Sequence, residues 1–213
     1  DDVPANAIDK YLKVQGERFR NPILRIFHTE LEAVYEEKNR GLDADGRKVN
    51  EKLFAELFKK HNYGLQTTIG TIEHLKNPSL NEIRKYFNKY YVPNNMGVIM
   101  SGDFNPDEMI KKVDAAFSYM QNKPVAKYAF EPEQPITAPI AAEVVGPDAE
   151  SVTMGYRLPG NKDKDVLLAD LVGQILTNGK AGLMDLNLVK KQKLLGASAA
   201  AFTLIDYGIL YMQ

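Results

Sequence analysis

The stretch Ile23–Arg40, with the sequence ILRIFHTELEAVYEEKNR, decides how this chain folds. Apolar residues recur in it at helical spacing, at Phe27, Leu31 and Val34, which predicts one amphipathic helix. Glu30 and Glu37 are close to two full turns apart and therefore share a face, about 10 Å from each other along the axis. That face is the apolar one, and a carboxylate on a buried stripe needs a cation or hydrogen-bond donors. The pair therefore indicates either a metal-site helix or an ordinary helix with acids on its rim.

The composition is that of a soluble globular protein, with 44% hydrophobic and 26% charged residues. The 27 Lys and Arg residues balance 28 Asp and Glu residues, so no net field attracts nucleic acid or anionic lipid. We therefore expect neither a nucleic-acid partner nor a membrane partner. The absence of cysteine excludes disulfides, thiolate catalysis and thiolate zinc sites.

The pattern of the chain changes near a proline-rich connection. Residues 1–122 are predicted to be mainly helical, residues 123–139 to be a linker, and residues 140–213 to mix strands and helices. Expected strands are Met96–Ser101, Ala142–Val145, Ser151–Leu158 and a hairpin of Ala197–Ile205 with Tyr207–Met212. Expected later helices are Asp163–Asn178 and Leu183–Lys193. The predicted fold class is α+β, an antiparallel sheet with helices on one face.

Several motifs occur together in the order and spacing of a known family. Glu30-x-x-x-Val34-x-x-Glu37 is followed by the runs Thr68–Thr71, Leu80–Met96, Ser101–Phe104, Gly155–Pro159 and Ile175–Gly179. This series resembles the pitrilysin/insulinase family of zinc peptidases, the inverzincins. The resemblance is strongest over residues 20–120. It implies pieces of two duplicated family domains: the rear half of the first in residues 1–122 and the front half of an inert second copy in residues 140–213.

The resemblance also implies roles for the two carboxylates. Glu37 falls where the family places its third zinc ligand, and Glu30 falls where it places a helper carboxylate beside the catalytic site. A catalytic zinc takes three protein ligands and keeps one position for water. The implied activity is hydrolysis of peptide bonds in peptides or small proteins by a zinc metalloendopeptidase.

The family's His-x-x-Glu-His motif is absent from this sequence. We therefore expect a piece of a longer protein that binds zinc only when intact and is inactive alone. Its expected partners are a peptide substrate, the remainder of the parent chain and a second copy that exchanges halves. A bacterial cell-envelope or periplasmic location is favoured, with the cytoplasm as the alternative. Two other functions stay open: a non-catalytic homologue that binds peptides or supports a partner subunit, and an α+β interaction module unrelated to peptidases.

The histidines receive simpler interpretations. His28 and Glu32 are spaced for a surface pair, with a shared metal as the alternative. His61 is predicted to be a cation at a helix C-terminus, and His74 is given no role.

Overall fold

A computed structural model describes all residues from 1 to 213. The eight α-helices are α1 (Ile8–Arg20), α2 (Phe27–Leu42), α3 (Asp45–Leu57), α4 (Asn62–Leu65), α5 (Ile72–Lys76), α6 (Leu80–Tyr90), α7 (Pro106–Phe117) and α8 (Asp165–Leu176). Short 3₁₀ turns cover Ala5–Ala7 and Pro93–Asn95, and a π-helical turn covers Asp185–Val189. The three strands are β1 (Met154–Pro159), β2 (Ala199–Thr203) and β3 (Tyr207–Met212).

The chain divides into two compact units, each assembled from two separate stretches. The first unit contains Asp1–Glu37 and Thr71–Ala129, and the second contains Lys38–Gly70 and Phe130–Gln213. The predicted boundary at residues 123–139 separates the pieces of two duplicated family domains, and it stays a prediction.

In the first unit α1 packs closely on α7. Gly16 of α1 lies against the backbone of Ala116, where a Cβ atom would come within 2.6 Å of the carbonyl oxygen. The Tyr119 hydroxyl donates to the Gly16 carbonyl oxygen at 2.8 Å, and the Phe19 ring contacts the rings of Phe87, Tyr91 and Phe117. The sequence requires glycine at position 16 because any side chain there would separate the two helices.

The helices begin where their capping residues predict. The Ser79 hydroxyl accepts a hydrogen bond from the Glu82 N–H at the start of α6. The Asn105 side chain accepts two from the first turn of α7, where Pro106 occupies the position that needs no N–H donor. Both helix starts are therefore encoded by capping residues in the local sequence.

The second unit is built on a three-stranded antiparallel sheet in the order β1-β3-β2. Leu210 of β3 lies opposite Tyr156 of β1 and Ala201 of β2, which fixes the register. The α+β class with an antiparallel sheet is confirmed, as is the predicted β2–β3 hairpin. Helix α8 packs closely on β2, with Gly173 against the backbone of Ala199.

Helices cover both faces of the sheet, because α3 lies on the opposite face from α8. Gly155 packs against Leu53, and Ile209 forms a buried cluster with Leu57 and Phe58. Alternation along the strands puts Gly155 and Ile209 on the same face. The core of the second unit therefore lies between α3 and the sheet.

Two predicted strands do not form. Residues 96–101 and 142–145 form no strand, and within 96–101 Val98 is 57% and Ile99 is 96% exposed. Their apolar sequences are typical of strands, but a strand also requires a hydrogen-bonded neighbour. Residues 140–213 form a sheet of their own, which contains β1, β2 and β3. The exchange of halves with a second copy stays a prediction. The predicted helix over 183–193 forms over residues 183–189, and its last five residues are the π-helical turn.

Candidate functional site

The two carboxylates singled out by the sequence lie on the outer side of α2. Glu30 and Glu37 are both exposed, whereas Phe27, Leu31 and Val34 are half-buried. Each residue turns the helix by about 100°, which places the carboxylates about 65–90° from the centre of the apolar stripe. The predicted burial of the pair is therefore wrong, although the expectation that they share one face agrees with the helix. An exposed carboxylate on a rigid helix is free to meet groups from another segment.

The buried charge on α2 is Lys38, which the sequence analysis did not single out. Only 7% of its side chain is exposed, and its Nζ lies 2.9 Å from Glu51 Oε1 on α3. Lys38 follows Glu37 directly, and the 100° turn between them directs one side chain inward and the other outward. A buried cation needs such a partner, because leaving it uncompensated costs several kcal/mol.

The described residues do not fit a complete zinc site. Nowhere in residues 1–213 do three or more His, Asp or Glu side chains come together in an arrangement that could hold a metal ion. His28 and His74 are exposed, and His28 packs edge-on against Phe27. Glu37 is chemically suitable as one ligand, but a catalytic zinc needs three from the protein. No catalytic step can therefore be derived from this chain alone.

His61 has a structural position that its sequence context did not predict. It is 1% exposed, and its Nδ1 accepts the Tyr63 N–H at 3.1 Å, which places the ring proton on Nε2. Nε2 lies 3.3 Å from Asp206 Oδ2, in the turn between β2 and β3. The rings of Tyr63 and Phe130 lie 4.0 Å and 4.3 Å from the imidazole. The predicted helix C-terminal cation is wrong: His61 is the N-cap of α4.

Glu133 holds an extended segment against the end of α3. Its side chain is 3% exposed and accepts the N–H groups of Lys60 and His61 at 2.7 Å and 2.8 Å. Burial raises the pKa of Glu133, but the backbone donors and Arg157 outweigh burial and keep the pKa below its ordinary value. The Arg157 guanidinium also donates to the Leu57 carbonyl oxygen at 2.7 Å and to that of Gln134. This network fixes the start of the extended segment.

Each of the two compact units has a surface depression. A cleft of about 470 Å³ lies in the second unit between the end of α3 and residues 133–140, and Lys59, Lys60 and Arg157 line it. A groove of about 380 Å³ in the first unit lies along α7 and is lined by Val98, Met100, Met109 and Ile110. Lys60 is paired with Glu131, and Arg157 is bound to the backbone, so the cleft offers few unsatisfied polar groups. Neither depression is lined by a histidine.

None of the eight helices combines the length and apolar character needed to cross a membrane.

Comparison with known proteins decides the family. The model of the Peptidase M16 inactive domain matches residues 78–213, well over half of the chain. This chain belongs to the M16 peptidase family. The resemblance to pitrilysin/insulinase zinc peptidases is thereby confirmed, and an interaction module unrelated to peptidases is excluded. The matched domain is described as inactive.

Individual relatives of the M16 chain agree with this assignment. A zinc protease, PqqE of Helicobacter pylori, is 30% identical over 132 residues, which are 60% of this chain and 30% of that protein. A solved protease structure from Helicobacter pylori matches 99% of this chain and 52% of its own, with a TM-score of 0.74 and 24% identity. Pitrilysin matches with a TM-score of 0.66 and 21% identity, over 99% of this chain and 24% of its own. The M16 chain thus spans about a third of its curated relative and about half or less of these solved chains.

The buried polar network of the M16 chain could not be predicted from the sequence, unlike the candidate ligand Glu37 and the candidate helper carboxylate Glu30. Glu37 and Glu30 were found because their spacing on one helix is a local signal. Glu133 and Arg157 were missed because their partners lie between 23 and 100 residues away along the chain. The four prolines between residues 121 and 139 indicate a linker, and a linker is not expected to contain a buried carboxylate such as Glu133.

Proposed function

We propose that this chain is part of a zinc metalloendopeptidase that hydrolyses peptide bonds in peptides or small proteins. The observation that carries the proposal is membership of the M16 family together with 30% identity to a zinc protease. In this proposal residues 1–122 are the rear half of a first peptidase domain, residues 123–139 are a linker, and residues 140–213 begin the inert second domain. The chain supplies part of the structural framework of the peptidase, and the remainder of the protein supplies the catalytic groups that this chain lacks.

Glu37 is the proposed third zinc ligand, and Glu30 is the proposed helper carboxylate. The support for these roles is the match of Glu30 and Glu37 to the family motif, and both side chains are exposed on α2. The Lys38–Glu51 pair then fixes the rotation of the end of α2 next to the ligand.

A cell-envelope location is proposed with this function, and the cytoplasm is the alternative. Its support is the fold, which is shared with the periplasmic protease PqqL of Escherichia coli at a TM-score of 0.67 over 99% of this chain. Fractionation of the native host, with the protein followed by antibody, tests the location.

The function is tested by the complete gene and its product. We expect the coding sequence before Asp1 to contain His-x-x-Glu-His, and the full-length protein to cleave a quenched fluorescent peptide library. Residues 1–213 alone should not cleave it. A full-length protein that carries the motif and binds zinc, yet cleaves no peptide, would contradict the proposed hydrolysis, as would a complete gene without the motif.

A second candidate function is a non-catalytic homologue that binds peptides or supports a partner subunit. The segment Asp170–Gln174 on α8 favours it, because the family resemblance implies that this helix stands where a zinc motif would lie, and it carries no histidine. M16-fold chains also occur in large assemblies: a chain of Complex III2 from Candida albicans matches with a TM-score of 0.69 and 15% identity, over 99% of this chain and 53% of that chain. Peptide binding without turnover by the full-length protein would support this candidate.

A further inference from the structure

The loop that follows helix α8 contains the only Asn-Gly dipeptide of the chain, Asn178-Gly179. Both residues are exposed, and Gly179 has a φ of 76°, in the left-handed region that glycine adopts readily. Asn-Gly is the dipeptide in which an asparagine side chain reacts most easily with its own backbone, because no side chain shields the nitrogen that follows. The dipeptide is therefore a candidate site of spontaneous covalent change.

The reaction needs only the groups of this dipeptide and water. The Gly179 nitrogen loses its proton and bonds to Asn178 Cγ, while the Cγ–Nδ2 bond breaks and ammonia leaves with that proton. Water then opens the imide ring at either carbonyl group and leaves an aspartate or an isoaspartate at position 178. The attack requires that Cγ turn toward the Gly179 nitrogen and that this nitrogen give up its proton.

Hydrogen bonds hold the Asn178 side chain in a different orientation. Its Oδ1 accepts the N–H groups of Lys180 and Ala181 at 3.1 Å and 2.9 Å, and its Nδ2 donates to the Gln174 carbonyl oxygen at 3.1 Å. Both ends of the amide are therefore bound within the loop. A turn of Cγ onto the Gly179 nitrogen must break these bonds first.

Asp185 holds the backbone of the same loop. Its side chain belongs to a residue that is only 8% exposed, and its Oδ2 accepts the N–H groups of Asn178 and Gly182 at 2.9 Å and 3.1 Å. The Asn178 N–H, with those of Gly182, Gly179 and Lys180, outweighs burial and keeps the pKa of Asp185 below its ordinary value. A fixed negative charge at this place also opposes loss of the Gly179 proton, because the anionic nitrogen would face a carboxylate.

We propose that Asn178 is a latent deamidation site and that Asp185 keeps it unreacted in the folded protein. Opening of the loop removes both restraints and allows the reaction. The product adds a negative charge to a loop that already surrounds a carboxylate, and an isoaspartate also lengthens the backbone by one carbon atom. The modified loop therefore does not close again around Asp185. This proposal does not depend on Glu37, on zinc or on peptide hydrolysis.

The deamidation rate of the full-length gene product tests the proposal. The natural protein is incubated at mildly alkaline pH, folded in buffer and unfolded in urea, and the tryptic peptide of residues 165–180 is analysed by mass spectrometry. Deamidation at Asn178 should be at least about tenfold slower in the folded protein, since several hydrogen bonds must break, some of them to a charged group. Equal rates, or a faster reaction in the folded protein, would overturn the proposal.

A matched pair of substitutions tests the role of Asp185. D185N keeps the size of the side chain and removes its charge, whereas D170N removes an exposed charge from α8. D185N should raise the rate at Asn178 by about tenfold or more, and D170N should leave it unchanged. A folded D185N protein that reacts at the natural rate would show that Asp185 does not protect the site.

Hydrogen exchange of the natural protein gives a result that needs no variant. The N–H groups of Asn178 and Gly182, which donate to Asp185, should exchange at least about tenfold more slowly than in the unfolded chain. Exchange at the unfolded rate would show that Asp185 does not hold the loop and would contradict the proposal, whether or not D185N folds.

Discussion

At the scale of single residues, the polar groups that matter most to stability are those the chain brings together from distant positions. Glu133 is nearly fully buried and receives backbone N–H groups from the end of α3, with Arg157 3.6 Å away. Because these donors disappear on unfolding, their effect on the Glu133 pKa becomes part of the folding free energy.

Substitution of Glu133 is the first prediction at this scale. E133Q keeps an acceptor but loses the charge, so it should lower the free energy of unfolding by about 1–3 kcal/mol. E133A leaves the N–H groups and Arg157 without a partner and should cost about 3–5 kcal/mol. Urea unfolding measures both. The control is E131Q, whose carboxylate is 76% exposed and pairs only with Lys60, and which should cost under about 1 kcal/mol.

The pH dependence of stability should follow from the same carboxylate. The pKa of Glu133 is lower in the folded chain than its ordinary value of 4.5, so its contribution is fully present above that pH. The contribution is lost as the pH falls from 4.5 through the folded pKa, because the unfolded chain then binds the proton first. E133Q should therefore show a smaller loss of stability than the natural chain over this range. Parallel curves for the two proteins would contradict the assignment.

Gln192 gives a further prediction from backbone geometry. Its φ of 54° lies in the left-handed region, which is unfavourable for residues with a Cβ atom. Q192G should raise the free energy of unfolding by about 0.5–1 kcal/mol, whereas Q192A, which keeps the Cβ atom, should change it little. A destabilising effect of Q192G in thermal unfolding would show that Gln192 makes a stabilising contact that outweighs the strain.

At the scale of elements, the close approach of α1 to α7 depends on one glycine. G16A should cost about 1–3 kcal/mol, since the new methyl group would lie within 2.6 Å of the Ala116 carbonyl oxygen. The control is G46A near the start of α3, where a Cβ atom meets nothing within 4 Å and alanine should be neutral or stabilising by up to about 1 kcal/mol. Thermal unfolding of the two variants should give shifts of opposite sign or clearly different size.

Which elements could be predicted from the sequence depends on how local their determinants are. Helix starts at Ser79 and Asn105 follow from capping side chains within three residues, and the β2–β3 hairpin joins neighbouring segments. Residues 96–101 have a strand sequence but no paired neighbour, so their prediction failed. The α2 helix was predicted. The exposure of the Glu30 and Glu37 side chains was not, because it depends on tertiary packing that periodicity alone does not determine.

At the scale of the whole molecule, the M16 chain has the fold of its family without a complete catalytic centre. The candidate ligand Glu37 is displayed on α2, and the histidines expected beside it in an active relative are absent from residues 1–213. The proposed function therefore requires another segment of the same protein to approach the outer side of α2.

The zinc content of the full-length protein tests this account most directly. Metal analysis of the natural protein, E37Q and the neighbouring control E36Q should give one zinc per molecule for the natural protein and for E36Q. It should give little or none for E37Q, with all three proteins folded by circular dichroism. Full zinc content in E37Q, or equal loss in E37Q and E36Q, would contradict the role of Glu37 as the ligand that this chain supplies.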